Sequence, residues 1–346
     1  MFEIKIEKPD NTVYKKAKQN WDAISKPLDG LGDFEELICR ISAILGDEYP
    51  DITKRAAVIF CADNGIVEEG VTQSDKSITL AVAKALGSGK STANRLCAFA
   101  GVTPVPVDIG ISCDEEIPGV RNMKLCRGTR NFLHEPAMTE KEAFSAIEKG
   151  MDIVKELAGI GYSIIATGEM GIGNTTTSTA ILCSLLGLDI DEVTGRGAGL
   201  DDVGLLKKKQ VIKITVNKYG GQSAFDILRS VGGLDIAGLA GLYIGGAIHH
   251  VPIVVDGVIS AAAAVVAEAL IPGAKNYMIP SHAGRGRLMS YALSSLGLKP
   301  YINGNMALGE GSGAIMLFPI LDMVMDYYKN GSVFDDYGIE KYKRFL

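Results

Sequence analysis

The chain has 346 residues, a net charge of −6, 47% hydrophobic residues and 41 glycines. That length supports one large or two modest domains, and the composition suits a loop-rich α/β protein rather than a disordered one. An acidic balance with no basic block argues against nucleic acid as the main partner, and the polar start MFEIKIEKPDN is not a signal peptide.

The longest apolar run, residues 236–248, is rich in Gly and too short to span a bilayer, so a soluble cytoplasmic protein with no membrane partner is expected. The cysteines, Cys39, Cys61, Cys97, Cys113, Cys126 and Cys183, show no CxxC spacing and mostly sit among apolar residues. They read as buried free thiols in a reducing compartment, with no metal site and no cofactor expected.

In chain order, residues 11–24 and 32–45 read as polar helices forming a cap or arm. Residues 56–62, AAVIFCA, read as a buried strand ending in Asp63-Asn64-Gly65. Residues 78–100 read as helix interrupted near Gly87-Ser88-Gly89, and 102–111 as a second strand. Gly89-Lys90-Ser91 resembles the end of a phosphate-binding P-loop, but position 84 is Lys and residues 80–86 read as helix, so the motif fails. Residues 113–138 read as a long irregular connection. Thr139 with Glu142 forms a capping box that starts a helix, and Ala143, Ile147, Met151 and Val154 continue its apolar stripe.

Residues 163–180, SIIATGEMGIGNTTTSTA, are the most informative stretch. They read as a short strand ending near Thr167, a turn broken at Gly168, Gly171 and Gly173, and a helix start. Such a turn lets backbone approach an anion, and the free N–H groups of the helix start favour negative charge. Asn174, Thr175 and Thr176 add donors, while Glu169 is a poor phosphate ligand and suits another part of a ligand. The plain alternative is a Gly/Thr-rich connection without a ligand.

Residues 194–206 form another glycine loop, with Gly197 and Gly199, running into a helix that carries Lys207, Lys208 and Lys209. Residues 232–246 read as a small-residue helix, 253–255 as a strand ending at Asp256-Gly257, 260–269 as a helix, and 276–279 as a strand ending at Ser281-His282. The stretch 306–314, MALGEGSGA, precedes an apolar helix over 315–324. Alternating strands and helices imply a doubly wound, mainly parallel sheet whose loops at 63–65, 168–176, 195–201, 256–257 and 281–284 collect on one edge.

GEMGIGNTTTSTA, GRGAGLDD and LGEGSGA, together with RGTRNF, GGLDIAGLAG and DGVISAAAA in the same order, resemble the nicotinate-nucleotide:dimethylbenzimidazole phosphoribosyltransferase family from about residue 20 onward. The resemblance implies a Rossmann-like core over 51–305, a helical arm over 1–50, and a catalytic loop with C-terminal helices over 306–346 completing a smaller helical domain. It implies phosphoribose transfer from nicotinate mononucleotide to an aromatic base with inversion at the anomeric carbon, no metal or cofactor, and a dimer with itself or with a paralogous chain. Glu310 matches the general base, Glu169 a second acid, and Lys208 an active-site lysine pairing with phosphate or with Glu169. Gly171, Gly173, Asn174, Thr175, Thr176, Gly197, Gly199 and Ser281 become nucleotide- and phosphate-binding candidates. Thr72, Leu80, Met170, Ile172 and Leu308 become the acceptor pocket.

The chain departs from the family on the acceptor side. Asn64 stands in place of His, Thr72 of Ser, Leu80 of Gln and Ala307 of Arg, and the loop after His282 reads AGRGRL. A pocket that loses an amide suits a phenol such as p-cresol as well as a benzimidazole. The small-residue segments 238–246 and 260–264 are expected to allow close packing between subunits. His249 and His250 read as structural, while His282 follows a strand and is open to a site role. Two other readings compete: a catalytically weak paralogue that supports an active partner, and a dehydrogenase. The dehydrogenase fails because no strand is followed by GxGxxG with a downstream acid.

Overall fold

The computed structural model describes residues 4–344. The chain opens with α1 (Asn11–Ala23) and α2 (Asp33–Leu45), then β1 (Arg55–Ala62), α3 (Ser77–Gly87), α4 (Thr92–Ala100), β2 (Val102–Gly110) and β3 (Arg121–Asn122). It continues with α5 (Glu140–Gly159), β4 (Ile164–Met170), α6 (Asn174–Leu186), α7 (Ile190–Val193), α8 (Asp202–Tyr219), α9 (Ala224–Val231) and α10 (Leu234–His249). The remainder is β5 (Ile253–Val255), α11 (Val258–Leu270), β6 (Met278–Pro280), β7 (His282–Gly284), α12 (Arg287–Leu296), β8 (Ile302–Met306) and α13 (Ser312–Asn330).

Six strands form one sheet in the order β3-β2-β1-β4-β5-β6, with every pairing parallel. The chain winds outward from β1 to β3, returns to β4, and winds outward again to β6. That reversal puts a topological switch point between β1 and β4, where open α/β sheets hold ligands beyond the strand carboxyl ends. A separate parallel pair joins β7 to β8.

β1 is buried along its whole length, and its alternate residues feed different cores, as the two-residue period of a strand requires. Ala56, Val58 and Phe60 join a core with residues of α5, α6 and α8–α12. Ala57, Ile59 and Cys61 join a second core with α1–α4 and α13. The two ends of the chain meet in that second core: the rings of Trp21 in α1 and Tyr328 in α13 pack tilted, with centroids 4.7 Å apart, and the Tyr328 hydroxyl donates to the Glu48 carbonyl at 2.9 Å. The helical layer built from the chain ends is therefore continuous with one face of the sheet.

Several expectations change. The strand expected to stop at Thr167 runs on to Met170, so Glu169 lies in β4 and not in the turn. Gly168 is a strand residue because the backbone of residues 310–311 lies directly on it: a Cβ there would sit 3.0 Å from the Glu310 carbonyl carbon and the Gly311 nitrogen. The irregular 113–138 segment contributes β3 to the sheet edge. The strand expected over 276–279 begins only at Met278, and α13 extends six residues beyond the expected end, to Asn330, with Pro319 inside it. α9, α12 and the β7–β8 pair lie outside the expected elements, although α9 and α12 each carry an apolar face at helical period. Cys113 and Cys126 are only half-buried, unlike the other cysteines. No helix among the described residues is long and apolar enough to cross a membrane.

The small residues of α10 are consumed inside the fold and are not free for a partner. A Cβ on Gly150 would collide with the Gly238 carbonyl oxygen, and one on Gly241 with the Ile147 carbonyl oxygen. α5 and α10 therefore touch backbone to backbone. Gly150→Ala is expected to cost about 1–3 kcal/mol through overpacking, read as a lower denaturation midpoint. Gly159→Ala, nine residues along the same helix with open space around it, should leave the midpoint unchanged or raise it by up to about 1 kcal/mol.

Candidate active site

The loops beyond β1, β4 and β5 converge with the start of α13. Asp63 and Asn64 follow β1, and both are buried. The Asn64 amide donates to the Ile172 carbonyl at 3.3 Å, and the Ile172 N–H donates to the Thr79 hydroxyl at 3.2 Å. The turn after β4 is thus stitched to β1 and α3. Gly173 takes φ +96° beneath Asn64 and Val67, where a side chain has no room.

Gly309, Glu310 and Gly311 all have positive φ, 86°, 57° and 79°. For Glu310 this conformation costs about 1–2 kcal/mol, so the loop is held by contacts elsewhere. Asp256, just beyond β5, supplies them. Its Oδ1 accepts from the N–H groups of Gly313 at 2.8 Å and Ala314 at 3.1 Å, capping α13 and fixing the loop before it. Glu310 itself accepts from the Ala93 N–H at 3.4 Å, and burial raises its carboxyl above the ordinary range. A Cβ on Gly309 would come within 3.2 Å of Glu169 Oε1, so the glycine before Glu310 is the residue that lets the two acids approach.

Glu169 is buried. Burial, then the charges of Asp235, Asp256 and Glu310, push its carboxyl well up, opposed by a hydrogen bond from the Asn174 amide. The same amide nitrogen lies 3.5 Å from Asp235 Oδ2. Asn174, expected among the phosphate donors, turns its side-chain amide to carboxylates in this structure.

Thr175 turns elsewhere. Its hydroxyl accepts from Lys208 Nζ at 2.8 Å. Lys208 is buried, and burial pushes its ammonium down to about 8. It has no carboxylate within ion-pair distance among the described residues and is not paired with Glu169. Gly197, at φ +55°, passes so close that a Cβ would lie 2.8 Å from Thr175 Oγ1 and 3.4 Å from Lys208 Nζ. Gly199 belongs to the same loop, its carbonyl accepting from the Gln73 amide. The Thr176 hydroxyl is buried and unpartnered. Gly171 sits between the Ala62 carbonyl and Asp235.

Ser281, expected on the nucleotide side, bonds within the fold. Its hydroxyl is buried and donates to the Val255 carbonyl at 2.6 Å, so that donor holds β5 to the loop after β6. His282 lies beside it, Nδ1 at 2.9 Å from Ser281 Oγ, packed so tightly on Gly313 that no side chain fits there. Burial lowers its imidazole while Asp256 opposes that shift. Of the acceptor candidates, Leu80 and Met170 are partly buried against the second core. Thr72 accepts from the Ser74 N–H at 3.4 Å, and Leu308 is exposed. His250 caps α10 in the left-handed region, as a structural histidine. Gly89 and Lys90 follow α3, and Ser91 caps α4, so they build no phosphate cradle.

Sequence reasoning passed over Asp235, and placed Asp256 only in a loop. A lone acid in the Gly/Ala-rich run GGLDIAGLAG was the available signal for Asp235.

A family model described as phosphoribosyltransferase matches residues 6–339. The nicotinate-nucleotide–dimethylbenzimidazole phosphoribosyltransferase of Clostridium acetobutylicum is 41% identical over 336 residues, covering 96% of each chain. The enzyme of that name from Ruminiclostridium cellulolyticum is 41% identical over 95% of this chain and 94% of its own. A crystal structure of the Thermus thermophilus protein CobT superposes with a TM-score of 0.90 at 30% identity, covering 95% of this chain and 99% of that one. On the fold, the site and these likenesses together, the chain belongs to the nicotinate-nucleotide–dimethylbenzimidazole phosphoribosyltransferase family.

Proposed function

We propose that this chain moves phosphoribose from nicotinate mononucleotide to an aromatic lower-ligand base, releasing nicotinate and an α-riboside phosphate in cobamide assembly. One observation carries the reading: a buried lysine, bonded among the described residues to a hydroxyl and to no carboxylate, stands next in the fold to a cluster of buried acids. A ligand with phosphate at one end and a positive centre at the other satisfies both. Nicotinate mononucleotide is such a ligand, through its phosphate and its cationic pyridinium nitrogen.

In this reading Lys208, Thr175, Thr176 and the Gly197–Gly199 loop take the phosphate. The C1′–nitrogen bond to nicotinate breaks, and its electron pair neutralises the ring, so no acid is needed on the leaving group. The acceptor attacks the opposite face of C1′, inverting it, as in single-displacement glycoside chemistry. The acceptor proton passes to Glu310, whose raised carboxyl suits a base working near neutrality. Glu169 faces the positive charge that develops on the ribose. A dimer, with itself or with a paralogue, is supported by the exposed Met316, Met323 and Tyr327 on one side of α13.

Glu310→Gln keeps the shape and removes the base. Its kcat should fall roughly 10²–10⁴-fold while the dissociation constant for nicotinate mononucleotide changes little; near-normal turnover would overturn the assignment. Lys208 makes a second test. Its ammonium is the form that attracts phosphate, so nucleotide affinity in the wild type should weaken as pH rises through about 8. Lys208→Met should bind weakly with a flat profile, measured by calorimetry.

The acceptor is read as broadened toward phenols, because Leu80 offers no hydrogen bond where the family places an amide. A phenol's single hydroxyl is both nucleophile and acid, with an ordinary pKa of about 10. Leu80→Gln should shift the kcat/KM ratio toward benzimidazoles by roughly tenfold or more, the worth of a buried hydrogen-bond partner. If the wild type, assayed alone and with any paralogue, uses dimethylbenzimidazole and never a phenol, this account of Leu80 is wrong.

A further inference from the structure

Glu310, Glu169 and Lys208 are given tasks above, and Asp235 is given none. It is the second residue of α10, fully buried, and the sole acid of that helix. A buried acid without a cation is costly and needs hydrogen bonds to be tolerated. Donors that reach it include the Ile236 N–H at 2.9 Å to Oδ1, the Asn174 amide at 3.5 Å to Oδ2 and its own backbone N–H. Its surroundings are cut to fit: a Cβ on Gly171 would lie 2.8 Å from Asp235 Oδ2, and Gly233 leaves no room beside Oδ1. The Asn174 amide has two hydrogens. It reaches Glu169 with the same nitrogen that reaches Asp235, so the amide forks between two carboxylates.

We infer that Asp235 is a positioning residue for Glu169. It anchors the Asn174 amide, and the amide holds Glu169 with Oε1 turned toward Gly309 and the Glu310 loop. The inference rests on the function proposed above.

The groups facing Glu169 are Asp235 from α10, Asp256 with His282 behind it, Glu310 ahead of α13 and the Cys61 thiol of β1. Asp63 faces Asp235. Among the described residues the charges that act on Glu169 most strongly are acids, and the Asp235 charge opposes its ionisation. Asp235 itself is pushed up by burial, from 3.8 to about 6. A carboxyl raised in this way binds its proton more tightly folded than unfolded. Its favourable effect on stability is complete below pH 3.8 and is lost as pH rises through about 6.

Asp235→Asn keeps the shape and the acceptor oxygen for Ile236 and removes the charge. The experiment uses the full-length protein with nicotinate mononucleotide and 5,6-dimethylbenzimidazole. In the variant, kcat should fall roughly 10- to 100-fold, the scale of a misplaced reacting group, with nucleotide KM within about threefold. The acid limb of the pH profile should move to lower pH. The melting temperature should rise above pH 6 and match the wild type near pH 4. Adding Asp235→Asn to Glu169→Gln should cost little more than Glu169→Gln alone, because the first acts through the second. A residue that merely supports the fold would instead lower the melting temperature and add its loss to that of Glu169→Gln. Fully additive losses, or a variant within twofold of wild type, overturn the inference while the proposed function stands. A wild type that transfers nothing to any acceptor overturns both.

Discussion

The site depends on one close approach, the backbone of Glu310 and Gly311 lying on Gly168 of β4. Residues 142 positions apart in sequence can meet there only because position 168 has no side chain and the incoming loop has three left-handed residues in a row. Asp256 completes the arrangement by capping α13 from the end of β5. The loop is thus tied to two neighbouring strands of the sheet. A strained Glu between two glycines is sustainable because the helix after it is anchored at its first turn. The rigid sheet edge, and not the loop's own preference, sets where the carboxyl stands.

A charge asymmetry follows from this geometry. Asp63, Glu169, Asp235 and Asp256 are buried together at the strand ends, and each carboxyl is raised by burial. Lys208 is buried close by, reached through the hydroxyl of Thr175, and its ammonium is lowered for the same reason. Such groups are unfavourable by themselves and become favourable when a ligand brings the missing counter-charges. Consecutive residues do the sorting: Asn174 bonds the acids and Thr175 bonds the lysine. A single helix start therefore stands between the buried acids and the buried lysine.

The proposed acceptor side is built differently. Thr79, Asn64 and Ile172 are linked backbone to side chain, which ties the turn after β4 to β1 and α3 beside the proposed acceptor residues Thr72, Leu80 and Met170. The sequence departures fall on Asn64, Thr72, Leu80, Ala307 and the loop after His282, and spare Glu310, Glu169 and Lys208. The candidate residues are spread over different elements: Glu169 and Met170 end β4, Leu80 lies in α3, Lys208 in α8, and Thr72 and Glu310 in loops.

Much of this was legible in the sequence. The buried strand AAVIFCA, the capping box at Thr139 and Glu142, and the alternation of strands with helices specify a doubly wound parallel sheet, because those patterns are local and periodic. The glycine-rich stretches at 168–176, 195–201 and 306–314 marked the loops of the site for the same reason. What only the tertiary structure decided is which partner each polar group takes. A sequence displays Asn174 and Ser281 as donors beside glycines, but the fold directs one to two carboxylates and the other to the Val255 carbonyl. It also decided that Gly168 continues a strand, that the small residues of α10 pack against α5 inside the subunit, and that Asp235 stands behind Glu169. Each of these turns on contacts between residues remote in sequence, and hydrogen-bond partners and burial across such distances leave no local periodic mark.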